Sequence, residues 1–128
     1  MLKGIAASQG IAIAKVYKLE QPVLKIVQTS ANPEEELKKL DSAFTKTISD
    51  IEQIKEVASK TLAEEELAIF DAHLMMIGDP EFRSSIENEI TSNSVNAEYA
   101  ADCVSKMMIS MFESMDDEYM KARAADIR

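Results

Sequence analysis

Three kinds of side chain in this sequence could do chemistry: a single histidine, a single cysteine, and carboxylates gathered where bases are missing. His73 and Cys103 are each alone of their type, so neither a histidine pair for a metal nor an internal disulfide can form. A cysteine–histidine dyad has no local sequence support. The three glycines, Gly4, Gly10 and Gly78, build no glycine-rich phosphate cradle. Glu113, Asp116, Asp117 and Glu118 crowd together, but without the alternating loop of a calcium site; capping by Ser114, with acids in a first helical turn, accounts for them. No metal site is expected. The stretch from Thr61 to Glu81 remains, with six acids and no base. It reads either as a solvated acidic face or as a docking patch for a basic partner, and pattern alone does not separate the two.

The element that must carry this patch is a helix predicted from a Thr61-Leu62-Ala63-Glu64 capping box to Ile77, with Gly78 as its stop. On a wheel of about 100° per residue, Ile69, Leu62, Ile77, Phe70, Leu74 and Leu67 fill one arc, the expected core face. Asp71, Glu64, Met75, Ala68, Ala72 and Glu65 fill the opposite arc, and Met76 lies on the border. Carboxylates therefore surround a large apolar side chain, with alanines leaving the surface accessible. Glu81 and Phe82 extend this composition past the stop. Met and Phe would supply apolar anchors, carboxylates steering and register. His73 projects within the core arc beside Glu66, which favours a structural, hydrogen-bonded ring over a phosphoryl acceptor or base. Cys103 and the methionines at 107–115 fall on an apolar stripe and read as core packing.

The rest of the chain supplies the frame. Asn32-Pro33-Glu34-Glu35 is a helix start, followed by Leu37, Leu40, Phe44, Ile48, Ile51, Ile54, Ala58 and Leu62 at three- and four-residue intervals. Asp79-Pro80-Glu81 restarts a helix to about Ile90, so residues 62–90 form one kinked helical arm. After a polar break at Thr91–Ser94, Asn96 caps a further helix with Ala100, Cys103, Val104, Met107, Met111 and Phe112 on one face. Ser114-Met115-Asp116-Asp117 caps the last. Short connections predict a mainly α protein, an antiparallel four-helix bundle built from helical hairpins. Before it, Ile11, Ile13, Tyr17 and Leu19 alternate with period two, and Val23–Val27 is a second β-branched run. This N-terminal β segment is orphaned, without strands to pair with.

Charge divides at the same boundary. Residues 1–30 hold four lysines against Glu20 for a net +3, whereas residues 31–128 carry ten bases and 22 acids for −12. The overall −9 argues against nucleic acid or an anionic membrane surface as partner. No transmembrane stretch or convincing signal peptide is present, and a free thiol with eight methionines fits a cytoplasmic setting.

Three ordered motifs carry a family resemblance. Gly4-Ile5-Ala6-Ala7-Ser8-Gln9-Gly10-Ile11-Ala12 resembles the opening strand of enzyme I of the bacterial sugar phosphotransferase system. Ala68-Ile69-Phe70-Asp71-Ala72-His73-Leu74-Met75-Met76, closed by Asp79-Pro80-Glu81-Phe82, resembles its A-I-F-x-A-H-L-M-L and D-P-E-L signature. Asp116-Asp117-Glu118-Tyr119-Met120-Lys121-Ala122-Arg123-Ala124-Ala125-Asp126-Ile127-Arg128 resembles its D-x-E-Y-x-K-x-R-A-A-D-I-R block.

The resemblance implies the N-terminal part of a phosphoenolpyruvate–protein phosphotransferase, with residues 31–128 as its helical HPr-docking subdomain. Residues 1–30 would open the phosphohistidine α/β subdomain, whose remaining strands follow later. The family takes phosphate from phosphoenolpyruvate, with magnesium, onto a histidine in a G-G-x-T-S-H-type motif, then passes it to the phosphocarrier HPr. That motif is absent from these 128 residues, so His73 is not the nucleophile; this piece is expected to be inactive alone, with no cofactor of its own. By resemblance the HPr contact surface falls on Glu64, Glu65, Asp71, Met75, Met76, Glu81 and Phe82, with Arg123 on a neighbouring helix and His73 at its edge or structural. Glu66 departs from a lysine in some relatives, and Phe82 from the usual leucine. The whole enzyme would be a homodimer through its C-terminal domain. The competing expectations are a stand-alone helical adaptor without phosphotransfer, and an enzyme I paralogue of a regulatory nitrogen-type pathway.

Overall fold

The computed structural model describes residues 5, 9–11, 13–15, 17–18, 24–118, 121, 124 and 127, and in it the chain turns helical after Asn32. The Asn32 side chain accepts the Glu34 N–H at 3.1 Å, Pro33 takes the first helical turn, and Glu34, Glu35 and Glu36 face the positive end of the helix. This helix, α1 (Pro33–Ala58), covers 26 residues and ends short of Leu62. The next cap also lies later than the predicted box. Glu66 accepts the Ala63 N–H at 2.9 Å, making Ala63 the N-cap, while the Thr61 hydroxyl donates to the Ala58 carbonyl at 3.3 Å and closes α1 instead.

Helix α2 (Glu64–Ile77) stops at Gly78, but not through a left-handed glycine. Gly78 is right-handed (φ −81°, ψ −2°), and the break comes from Pro80, which holds Asp79 in extended backbone at ψ 119°. Asp79 then accepts the Glu81 N–H at 2.7 Å and opens α3 (Pro80–Asn93). That helix runs past the expected end at Ile90 until Ser94, left-handed at φ 51°. Helix α4 (Ala97–Ser114) follows Asn96. Positions 118, 121, 124 and 127 are helical again, with the Lys121 N–H bonded to the Asp117 carbonyl at 3.0 Å and Ala124 buried.

Helix α1 packs on α2, and α3 on α4, while α1 bridges to both α3 and α4. The core joins Leu40 and Phe44 of α1, Ile86 and Ile90 of α3, Val95, and Ala97, Ala100 and Val104 of α4. This is the mainly α bundle that the hydrophobic period predicts, with the α2–α3 bend as its kinked arm. The buried line of α4 is rotated from the predicted one: Met108 packs on the core, whereas Met107 and Met111 are exposed and Cys103 is half-buried. Small Ala97 and Ala100 bring α4 close to its neighbours, and the seam follows residues 97, 100, 104 and 108.

The period-two segment forms no strand among the described residues. Ile11, Ile13 and Tyr17 are exposed, residues 24–27 are not in a sheet, and Leu19 and Val23 lie outside the described residues. A lone hairpin is marginal in water without a sheet to receive it. The segment instead meets the bundle at its end. Ser30 forms an isolated antiparallel bridge with Val95, the Ala31 N–H donates to the Ser94 carbonyl at 2.9 Å, and the Thr29 N–H donates to Asn96 Oδ1 at 2.9 Å.

Candidate docking site

Helix α2 has no fully buried residue, so its two faces differ by degree. Leu67, Phe70, Leu74 and Ile77 are half-buried toward the bundle. The arc around Met75 is open: Glu64, Glu65, Ala68 and Asp71 are exposed, and Met75 itself is 78% exposed. Met76 and Ala72, at the margins, are half-buried. Two members of the predicted core arc belong outside it. Leu62 precedes α2 and is exposed, and Ile69 is 54% exposed; α1 is the main neighbour of α2, and a single main neighbour shields a narrow arc. Ile69 therefore widens the apolar part of the surface toward Met76. Its place beside Met76 on the wheel was the available signal.

The six acids of this stretch do different work. Glu66 is spent on the Ala63 N–H, and Asp79 on the Glu81 N–H. Asp71 forms an ion pair with Lys55, which reaches across from α1. Glu64, Glu65 and Glu81 make no side-chain ion pair or hydrogen bond among the described residues, so they retain their full charge toward solvent. The first turn of α2 also favours Glu64 and Glu65 through the helix dipole.

Phe82 is half-buried and serves the fold as well as the surface. Its ring lies 6.2 Å from Phe44, tilted by 38°, and it packs against the core. The neighbouring Arg83 locks this corner: its guanidinium sits 5.7 Å from the Phe44 ring centroid and bonds Asp41 of α1 at 3.0 Å and Glu87 at 2.8 Å. The charge-assisted bond to Glu87, then that to Asp41, raises the Arg83 pKa above its already high ordinary value. Glu81 is thus held at a fixed distance from α1 on the first turn of α3.

His73 is half-buried on α2 and makes no hydrogen bond among the described residues, unlike the bonded ring expected for a structural histidine. No anion donors converge on it there. Cys103 lines a shallow groove between α3 and α4 with Ser85, Asn88 and Met107, and its thiol pushes the Tyr99 hydroxyl one turn away above its ordinary pKa. Arg123 lies outside the described residues. Among the described residues no group of three or more His, Cys, Asp or Glu side chains is placed to hold a metal ion. The geometry suits recognition: an exposed thioether and an aliphatic side chain bordered by free carboxylates can seat apolar groups and orient cations.

Comparison with known proteins places the chain in a family. The sequence model of a family described as PEP-utilising enzyme, N-terminal, matches residues 3–123. The chain is 50% identical over 128 residues to the phosphoenolpyruvate-protein phosphotransferase of Priestia megaterium and 48% identical to that of Bacillus subtilis (strain 168). Each alignment covers 99% of this chain and 22% of the relative, so the chain spans about a fifth of those proteins. Among solved structures, an NMR structure of Enzyme I (nEIt) matches with a TM-score of 0.76 at 38% identity, over 84% of this chain and 44% of that one. The N-terminal domain of Enzyme 1 – Nitrogen matches with a TM-score of 0.72 at 24% identity, over 80% of this chain and 43% of that one, a likeness of fold alone.

Proposed function

We propose, from the premise that this chain belongs to the family of PEP-utilising enzyme N-terminal domains, that it is the phosphocarrier-docking part of a phosphoenolpyruvate–protein phosphotransferase. The observation that carries the reading is Met75, 78% exposed on the same face of α2 as Glu64 and Glu65, whose carboxylates make no ion pair among the described residues. A basic carrier, HPr in the sugar system, seats an apolar patch on Met75, Met76 and Ile69. Its cations then meet Glu64, Glu65, Asp71 and Glu81. Phe82 supports the α3 end of the surface from the core side, and Arg123 is assigned a further contact by family resemblance. Residues 1–30 belong to the neighbouring phosphohistidine subdomain, and the whole enzyme works as a cytoplasmic homodimer.

The surface breaks and makes no bonds. It contributes proximity and orientation, holding the carrier's histidine in line with a phosphohistidine supplied by another part of the enzyme. By family resemblance the full-length reaction would draw on magnesium to neutralise phosphoryl charge; among the described residues no group of three or more His, Cys, Asp or Glu side chains is placed to hold it. The nitrogen-type and adaptor alternatives gain no separate support, since the nitrogen-type structure shares the fold at 24% identity.

An NMR titration with HPr tests the reading. Met75→Glu should weaken binding by at least about tenfold while leaving far-UV circular dichroism unchanged. Equal affinity of the two proteins would sink it. The 128-residue chain mixed with phosphoenolpyruvate and magnesium should take up no phosphate, and phosphohistidine at His73 would overturn its assignment as a non-catalytic residue.

A further inference from the structure

The acidic face of α2 contains one carboxylate that already has a counter-ion. Asp71 lies one turn before Met75 and two turns after Glu64, at the edge of the open arc that adjoins α1, and Lys55 of α1 is ion-paired to it. Glu64, Glu65 and Glu81 around it have no such partner among the described residues. The pair is exposed, with side chains 34% and 54% accessible, so water and salt screen it and its attraction is small. Lys55 also sits in the last turn of α1, where the negative end of the helix favours a cation. Released from Asp71, its ammonium still has a favourable place.

We propose that Lys55 is a displaceable internal counter-ion that sets how tightly this surface accepts a cationic partner. In the free protein Lys55 occupies this carboxylate. A partner's lysine or arginine must replace it, and the replaced ammonium swings back to the α1 terminus. The exchange is isoelectric at Asp71, so a single weakly placed cation gains little there. A partner with several cations can still bind through Glu64, Glu65 and Glu81 while Asp71 changes hands. Lys55 thereby selects for multivalent basic partners over stray cationic peptides. This inference rests on the docking reading, and it assigns a specificity-determining role to a residue outside the docking helix.

The test is a double-mutant cycle in the natural full-length protein, with purified HPr as the probe and calorimetric titration at low salt. Lys55→Gln should tighten binding about threefold. Lys55→Arg, which keeps the charge, should bind like the wild type. In an Asp71→Asn background Lys55→Gln should lose most of its effect. Unchanged or weaker binding by the Lys55→Gln protein, with wild-type binding intact, overturns the inference and leaves docking standing. An equal gain in the Asp71→Asn background also overturns it, because Lys55 would then act through the general field. No binding by the wild type removes the docking reading itself.

Discussion

Glu36 shows how one side chain takes a role that local sequence would not assign to it. It reads as one of three acids in the first turn of α1, yet its carboxylate accepts the Ala97 N–H of α4 at 2.7 Å. Asn96, the residue at the cap position, has its own Oδ1 occupied by the Thr29 N–H at 2.9 Å and caps no donor of α4 with its side chain. A carboxylate from another helix therefore satisfies an orphan donor and complements the positive end of α4. Glu36→Ala should cost about 1–2 kcal/mol in urea unfolding, and Glu36→Gln, which keeps an acceptor, distinctly less. Equal losses would show that charge rather than the hydrogen bond is at work. Ile90 gives the apolar counterpart: it is fully buried, so Ile90→Ala should cost about 3 kcal/mol by the same measurement.

At the scale of elements, Asn32-Pro33 and Asp79-Pro80 announce helix starts because their chemistry is complete within four residues. The starts of α1 and α3 are legible on that account. What periodicity does not contain is which neighbour covers a face, and how far along. Ile54 and Val57 continue α1 beyond the part wrapped by α3 and α4, and both are exposed although Ile54 keeps the apolar spacing. Ile69, Met107 and Met111 depart from expectation for the same reason. The proposed docking surface was partly legible: Met75 and the carboxylates of its face follow from the wheel, whereas Lys55 on Asp71 joins residues 16 apart on two helices. The end of α2 offers a direct check. A Cβ on Gly78 would lie 3.0 Å from the Leu74 carbonyl oxygen, a tight but not left-handed site. Gly78→Ala should therefore shift stability by less than about 1 kcal/mol, as thermal unfolding can measure, and a larger loss would restore glycine to the role of obligatory stop.

For the molecule as a whole, acidity shapes both folding and encounter. Lys39 binds Glu98 at 2.5 Å and approaches Glu36 at 3.7 Å, joining α1 to the first turn of α4. The hydrogen bond from Lys39 holds the Glu98 carboxyl below its ordinary pKa, and the same bond raises that of Lys39. A depressed carboxylate stabilises the fold above its unfolded pKa and loses that contribution as the pH falls from about 5 through the acid range. Melting temperature should drop over this range, and Glu98→Gln should flatten part of the drop; an unchanged acid limb would exclude the pair as a contributor. Salt acts on encounter. Raising ionic strength from about 0.01 to about 1 M shortens the screening length from about 30 to about 3 Å. Stopped-flow association with HPr should slow steeply across it, with dissociation changing less.

The uneven sheathing of α1 has one more consequence. Leu40 and Phe44 anchor its first half in the core, while Ile54 and Val57 emerge where α2 alone accompanies it. The distal hairpin can then open as a unit of its own, without the rest of the fold melting. Amide protons of residues 54–62 should exchange with deuterium far sooner than those of residues 37–44, leaving the proposed recognition surface beside the part of the protein that reshapes most cheaply.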